Sequence, residues 1–308
     1  MNNIYTSDDG ARVLAQQYTA FLEQWPVPAF VMASGPKDAA PLVLLHGSGA
    51  NAAMWADDVA LWARHFRIYT IDVIGEPGLS APSRPALGSD AYALWLDDVL
   101  DALNVGSAAF MGTSLGGWLA LDHAVRRPKR VDRLALRCPS GIGGQKMGLL
   151  VASLFLQPFG DRGRRTMLNL ALGPTPATAT ATVQERAFGE YVMLIHKYFR
   201  PRRQKLPVFT DGDLEVLNMP VQVTVGGRDR LMDSHDTRRR FQQTTPHASV
   251  TFLPETGHLL KNQAQPVLDF LLTTERKKTP CPTRSRRSPA RPSSSARRTA
   301  HRCATSTT

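Results

Sequence analysis

In the stretch AAFMGTSLGGWLALDHA, residues 108 to 124, Ser114 stands between Gly112 and Gly116 where an apolar run meets an amphipathic one. A Gly-x-Ser-x-Gly spacing is what a sharp strand-to-helix turn needs if it is to hold a serine hydroxyl exposed at its tip. A turn serine on its own is usually only a turn serine. A serine hydroxyl is also a poor nucleophile at neutral pH and requires an adjacent base to take its proton. The reading therefore depends on whether the chain brings a histidine, and a group to orient it, to the same place.

Those groups must be positioned by regular elements. Short apolar runs occur at 41–47, 67–75, 107–113, 133–139, 221–227 and 249–255, with AFVMAS (29–34) as a further strand candidate. They read as continuous apolar segments, the pattern of strands covered on both faces in a parallel sheet. Helical periodicity fills 54–64, 90–103, 115–127, 234–243 and 261–272, and residues 8–25 also look helical. This alternation predicts an α/β fold with a doubly wound, mostly parallel sheet. About 80 residues separate the strand at 133–139 from the one at 221–227, too long for a plain crossover. They read as a helical cap inserted above the strand ends, with the link GPTPATATAT inside it.

In an open parallel sheet, ligands bind beyond the carboxyl ends of the strands. Ser114 follows the strand at 107–113, Asp229 follows 221–227, and His258 follows 249–255. A serine, an acid and a histidine thus arrive at strand ends in that chain order. Together with LLHGSG (44–49), GTSLGG (112–117), GGRDRL (226–231) and ETGHLL (255–260), this resembles the α/β-hydrolase superfamily in its serine esterase-like branch. The resemblance spans about residues 41–272, and DVIGEPGLSAPSRP (72–85) is similar to the loop after the next strand in that family.

The resemblance implies a role for each residue. Ser114 would attack a carbonyl, His258 would take its proton, and Asp229 would hold the imidazole in the correct tautomer. Gly112 and Gly116 would permit the turn and the close approach of helix to strand. The backbone N–H groups of Leu115 and Ser48 would form the oxyanion hole, with Ser48 placed just after His46 and Gly47. His46 reads as a packed histidine beneath that loop, and Asp233 as a helix cap or a substitute acid. His123 lies about half a turn out of phase with Ser114 and should point away; His247 is the histidine against which His258 has to be tested. Trp55, Trp62, Trp95 and Trp118 read as packing residues. Arg162, Arg164, Arg165 and the RPRRQK run (200–205) read as a solvated face of the cap. Neither metal nor cofactor is implied. Family members usually carry an antiparallel strand pair before the LLHG strand, whereas here only 29–34 suggests one.

Charge and cysteines bound the rest. The formal charge of +11 is a property of the C-terminus, because ten Lys and Arg residues and no acid follow Glu275. Residues 1–275 hold 27 basic against 26 acidic groups. The stretch 276–308, rich in Arg, Ser, Pro and Thr, cannot bury enough apolar surface to fold alone and is expected to be disordered. It has no counterpart expected in the family, and an altered C-terminus and a nucleic-acid-binding arm are both open readings. Any nucleic-acid contact would be weak, nonspecific and confined to this tail. Cys138, Cys281 and Cys303 form no disulfide framework or metal-like spacing. With no basic-then-apolar start resembling a signal peptide and no run long enough to span a bilayer, a cytoplasmic protein is expected. The expected organisation is a hydrolase core in two parts, 1–139 and 220–275, a cap at 140–219 and the tail at 276–308. The expected activity is cleavage of a small or medium carboxylic ester through an acyl-enzyme. The alternatives are a C–C bond hydrolase of the meta-cleavage-product type, a cofactor-free haloperoxidase-like enzyme, and a non-enzymatic binding protein on the same scaffold. Oligomeric state is not readable.

Overall fold

The structure, a computed structural model, describes residues 29–146, 148–172, 183–202 and 204–273. The expected helix at 8–25, the GPTPATATAT link and the basic tail lie outside the described residues. Seven strands form one sheet: β1 (Val31–Ser34), β2 (Pro41–Leu45), β3 (Arg67–Ile71), β4 (Ala108–Thr113), β5 (Val131–Arg137), β6 (Val221–Gly226) and β7 (Ser249–Leu253). Their order is β1-β3-β2-β4-β5-β6-β7, and every pairing is parallel except β1 with β3. The single antiparallel strand β1 forms one edge of the described sheet.

The helices are α1 (Ala56–Trp62), α2 (Ala91–Ala102), α3 (Leu115–Arg126), α4 (Gly148–Leu156), α5 (Gly160–Leu172), α6 (Val183–Tyr198), α7 (Asp211–Glu215), α8 (Ser234–Thr244) and α9 (Ala264–Leu272). Successive strand residues feed opposite faces, because side chains alternate across a strand. Leu42, Leu44, Met111 and Ala135 join Trp55, Trp62, Val267 and Leu268 on the α1/α9 face. Val43, Leu45, Phe110 and Leu134 join Leu96, Trp118 and Phe241 on the other. Both faces being covered is why these strands read as unbroken apolar runs. The four tryptophans named above are all buried, as expected of packing residues.

Several boundaries differ from expectation by a few residues, the strand expected over 133–139 being Val131–Arg137 and that over 249–255 ending at Leu253. Two of the differences have a plain local reason. The strand expected over 67–75 ends at Ile71, because the Val73 N–H turns out of the sheet to donate to His46 Nε2 at 2.9 Å. The helix expected from residue 261 starts at Ala264, since Asn262 takes a φ of 56°, which breaks a right-handed helix. Between β5 and β6 the chain forms α4 to α7. Its return is tied to the core by Trp118 Nε1 donating to the Pro207 carbonyl and by Phe209 N–H donating to that of Gly141.

Candidate active site

The turn from β4 into α3 is built around two glycines. A Cβ on Gly116 would lie 2.0 Å from the Leu45 carbonyl oxygen, and one on Gly112 would lie 2.4 Å from that of Gly116. Only glycine lets α3 settle this closely on β2 and β4. Between them Ser114 takes φ 53° and ψ −112°, a conformation rare for a residue with a side chain. It is held there because its N–H donates to the Arg137 carbonyl, while its own carbonyl accepts from Trp118 N–H and Ser140 N–H. Such strain, of order 1–3 kcal/mol, persists only where surrounding contacts impose it and clusters at functional sites. Leu115 is the first residue of α3, so its N–H lacks an intrahelical partner.

Two strands further along the sheet, the loop after β6 carries Asp229. Its Oδ1 accepts the N–H groups of Leu231 and Met232 at 2.7 and 3.0 Å, and its Oδ2 lies 2.7 Å from His258 Nδ1. Both side chains are buried. Burial pushes the Asp229 carboxyl upward, but the bond and charge of His258, with the two amides, outweigh it and hold the group below the usual carboxylate range. A carboxylate at Oδ2 requires the Nδ1 proton to point at it, which leaves Nε2 as the basic nitrogen. Lys146 Nζ donates to the Asp229 carbonyl at 2.7 Å and steadies the same loop.

The rival residues are engaged elsewhere. Asp233 caps α8, its Oδ1 accepting from His235 N–H and Asp236 N–H, so it is not the acid in contact with His258. His247 Nε2 lies 3.0 Å from the Met219 carbonyl. His123 is buried beside the Phe110 ring, with burial lowering its pKa to about 4. His46 accepts from Val73 N–H through Nε2, so Nδ1 carries the proton and donates to the Gly47 carbonyl at 2.8 Å. It is a buried strut under the loop, as expected. That loop adjoins the serine: a Cβ on Gly47 would lie 3.5 Å from Ser114 Cβ.

Ser114 and His258 are not yet joined. Among the described residues Ser114 Oγ makes no hydrogen bond to His258; it faces Ser140 Oγ at 3.5 Å, long for a hydrogen bond. Catalytic hydrogen bonds are often loose until substrate is bound. The segment Arg137–Ser140 links the two groups, touching Ser114 through backbone bonds and the acid–base pair through Cys138. Cys138 Sγ, an Asp229 oxygen and a His258 nitrogen lie within 4.8 Å of one another, a compact group that could in principle ligate an ion. Its donors are already committed, because the Asp229 oxygens accept three hydrogen bonds and burial beside that carboxylate pushes the Cys138 thiol up, keeping it protonated.

Sequence reasoning missed four residues here: Ser140, Cys138, Glu76 and Arg202. Glu76 is buried, and its Oε2 accepts from Ser48 Oγ and Gly49 N–H, both at 2.9 Å. The Arg202 result corrects the reading of 200–205 as a solvated face. Its side chain is 7% exposed, donates to Tyr92 OH at 2.5 Å and lies 3.8 Å from Glu76. Neither partner is near it in sequence. Arg162 and Arg165 are exposed as expected, and Arg164 pairs with Asp161 on the surface of α5.

A mostly parallel sheet, a strained serine at the head of a helix and a buried Asp–His pair beyond the strand ends define the site class of the α/β hydrolases. Residues 42–269 match the alpha/beta hydrolase family, and the chain belongs to it. The uncharacterized carboxylesterase nap of Bacillus subtilis (strain 168) is 29% identical over 279 residues, covering 82% of this chain and 88% of that protein. Carboxylesterase YbfK of the same organism is 28% identical over 274 residues, covering 83% and 92%. The crystal structure of carboxylesterase CesB (YbfK) superposes with a TM-score of 0.68 at 27% identity, covering 86% of this chain and 99% of that one. The naproxen esterase (carboxylesterase NP) of Bacillus subtilis gives 0.67 at 27%, covering 86% and 98%.

Proposed function

We propose that this chain hydrolyses carboxylic esters through an acyl-enzyme on Ser114. The observation that carries this reading is the buried 2.7 Å His258–Asp229 contact at the strand ends that also present the strained Ser114. Similarity over more than four-fifths of this chain to two carboxylesterases supports the substrate class. Ser114 Oγ attacks the ester carbonyl carbon while His258 Nε2 takes its proton, and Asp229 stabilises the resulting imidazolium. The carbonyl oxygen becomes an oxyanion, received by the N–H groups of Leu115 and Ser48. Collapse breaks the bond to the alkoxy oxygen, which leaves as the alcohol with the proton from His258. A water, deprotonated by His258, then attacks the acyl carbon; collapse breaks the bond to Ser114 Oγ, which takes that proton back from His258 as the acid departs. No metal or cofactor takes part in this sequence.

The helical segment within 140–219 serves as a cap over this site. Its α5 reaches the histidine loop, where the Leu172 carbonyl accepts from Leu259 N–H at 3.2 Å. Its α6 reaches the other side, with Tyr191 hydrogen-bonded to Asn51 and His196 beside Gly49. A narrow, mostly apolar groove lined by Gly49, Met54, Tyr191, Val192 and Ile195 lies along this second contact.

A fluorophosphonate probe and p-nitrophenyl esters test the reading together. Wild type should be labelled once per chain and turn over the esters, and Ser114→Ala should lose labelling and at least about 10³-fold of kcat. A folded Ser114→Ala protein with wild-type turnover would discard the assignment.

A further inference from the structure

Glu76 has no place in the mechanism above, yet it is a carboxylate with 1% exposure. Burying an ionisable group is costly unless its charge is used. A glutamine whose oxygen took these two hydrogen bonds would turn its amide N–H donors toward Arg202, donor against donor, and would have to give up one hold or the other. The loop that Glu76 grips, His46–Ala52, is stitched to the loop after β3 at three points. Val73 N–H donates to His46 Nε2, and Ala52 N–H donates to Asp72 Oδ1 at 2.8 Å. Between these two struts Glu76 holds the loop from the β3 side, through Ser48 and Gly49, while Asn51 reaches Tyr191 of α6. Gly49 takes a φ of 70°, which glycine adopts without strain, so its amide can be turned toward the Glu76 carboxylate.

The second carboxylate oxygen, Oε1, is buried with no hydrogen bond among the described residues and faces Arg202 Nε at 3.8 Å. Arg202 belongs to the segment that leaves α6, where Arg84 also donates to the Arg200 carbonyl and stacks on Phe199. Burial raises the Glu76 pKa, while Gly49, Ser48, Arg202 and Arg84 each favour its ionised form. The carboxylate is therefore a junction with the loop beside Ser114 on one oxygen and the cap's return segment on the other.

We propose that Glu76 is a positioning residue for the oxyanion hole, fixing Ser48 and Gly49 beside Ser114, and that Arg202 couples this hold to the seating of the cap. The inference rests on the esterase reading. A purely structural glutamate would affect stability and the yield of competent sites. A positioning glutamate affects the transition state in sites that are competent. The measurements are kcat and KM for p-nitrophenyl butyrate, per site titrated with a fluorophosphonate, and inhibition by an aryl boronic acid, whose adduct with the serine imitates the tetrahedral intermediate.

Glu76→Gln should lower kcat per titrated site by about 10- to 100-fold, less than outright loss of an oxyanion donor, with KM within about 2-fold of wild type. Boronate affinity should weaken in parallel. Ser48→Ala, which alters an exposed side chain and leaves the backbone N–H in place, should lose about 3- to 10-fold in kcat with the same boronate trend. In the double variant the Ser48 change should cost little more, since its hydroxyl acts through Glu76. Unchanged kcat and boronate affinity in folded Glu76→Gln overturn the proposal. If that variant fails to fold, Ser48→Ala decides, and wild-type values there overturn it equally. A wild-type chain that is neither labelled nor active removes the esterase reading itself; an active wild type with unaffected variants removes only the role of Glu76.

Discussion

At the scale of the residue, Ser114 pays for its exposure with backbone strain. At φ 53° a glycine would be at ease, and an alanine would keep the strain while losing the hydroxyl. Ser114→Gly is therefore expected to unfold at higher denaturant than Ser114→Ala, by about 1 kcal/mol once the greater chain entropy of glycine is subtracted. Both should be inactive. Urea melts of the two variants check this, and equal midpoints would mean the surrounding contacts impose no net cost at that position. The acid–base pair works at the same scale. One bond from His258 Nδ1 to Asp229 selects the tautomer, and two amides hold the carboxylate so that it need not seek a solvent partner.

At the scale of the element, α3 follows directly on the proposed nucleophile and devotes the rest of its length to packing. Its first turn presses on β2 through Gly116, and further along His123 is fully buried against Phe110 of β4, 3.9 Å from Asp97 of α2. Burial keeps His123 neutral in the folded chain, with a pKa near 4 in place of 6.5. The unfolded chain then binds the extra proton first, so stability is complete above about pH 6.5 and is lost as pH falls towards 4. The expected loss is about 2–3 kcal/mol. His123→Phe, which keeps a ring beside Phe110, should flatten that part of the stability curve. The difference between wild type and variant isolates the effect, because the raised Glu76 carboxyl acts with the opposite sign in both, and Asp229 titrates below this window. Urea unfolding at pH 7, 6, 5 and 4.5 measures it; parallel curves for the two proteins would contradict the assignment.

At the scale of the whole molecule, the excess charge and the candidate site belong to different parts of the sequence. The site draws on β2, β4, β5, β6 and β7 and on the segment between β5 and β6, all before residue 273. The ten basic residues after Glu275 contribute nearly all of the +11 formal charge. A chain ending at Glu275 should keep kcat/KM for p-nitrophenyl esters within about 2-fold. It should also elute from heparin at clearly lower salt than the full chain, because counterion release scales with the number of basic contacts. A large fall in kcat/KM with solubility preserved would show that the tail supports the site. No helix of the described residues is long and apolar enough to cross a membrane.

The sequence alone determined the strand order along the chain and the glycine-flanked turn at Ser114, and it singled out Ser114, Asp229 and His258 as candidates at strand ends. Each of these is written locally: a strand covered on both faces shows as an apolar run, and a strand end shows as the glycine, acid or histidine that follows it. His46 was legible as a strut for the same reason, since its bonds run to its neighbour Gly47 and to the next strand end. Element boundaries were less legible, because the end of β3 and the start of α9 depend on where Val73 finds its acceptor and on the backbone of Asn262. Tertiary structure decided the rest. Glu76 meets Ser48 across 28 residues of chain, and Arg202 meets Tyr92 across 110. No periodicity encodes such meetings, and an arginine in a basic run looks the same whether it ends in water or in the core. Cys138 and Ser140 became part of the site only because β5 lies between β4 and β6 in the sheet. A local pattern records what each element must bury, whereas the partners of a buried charge are chosen by how those elements pack.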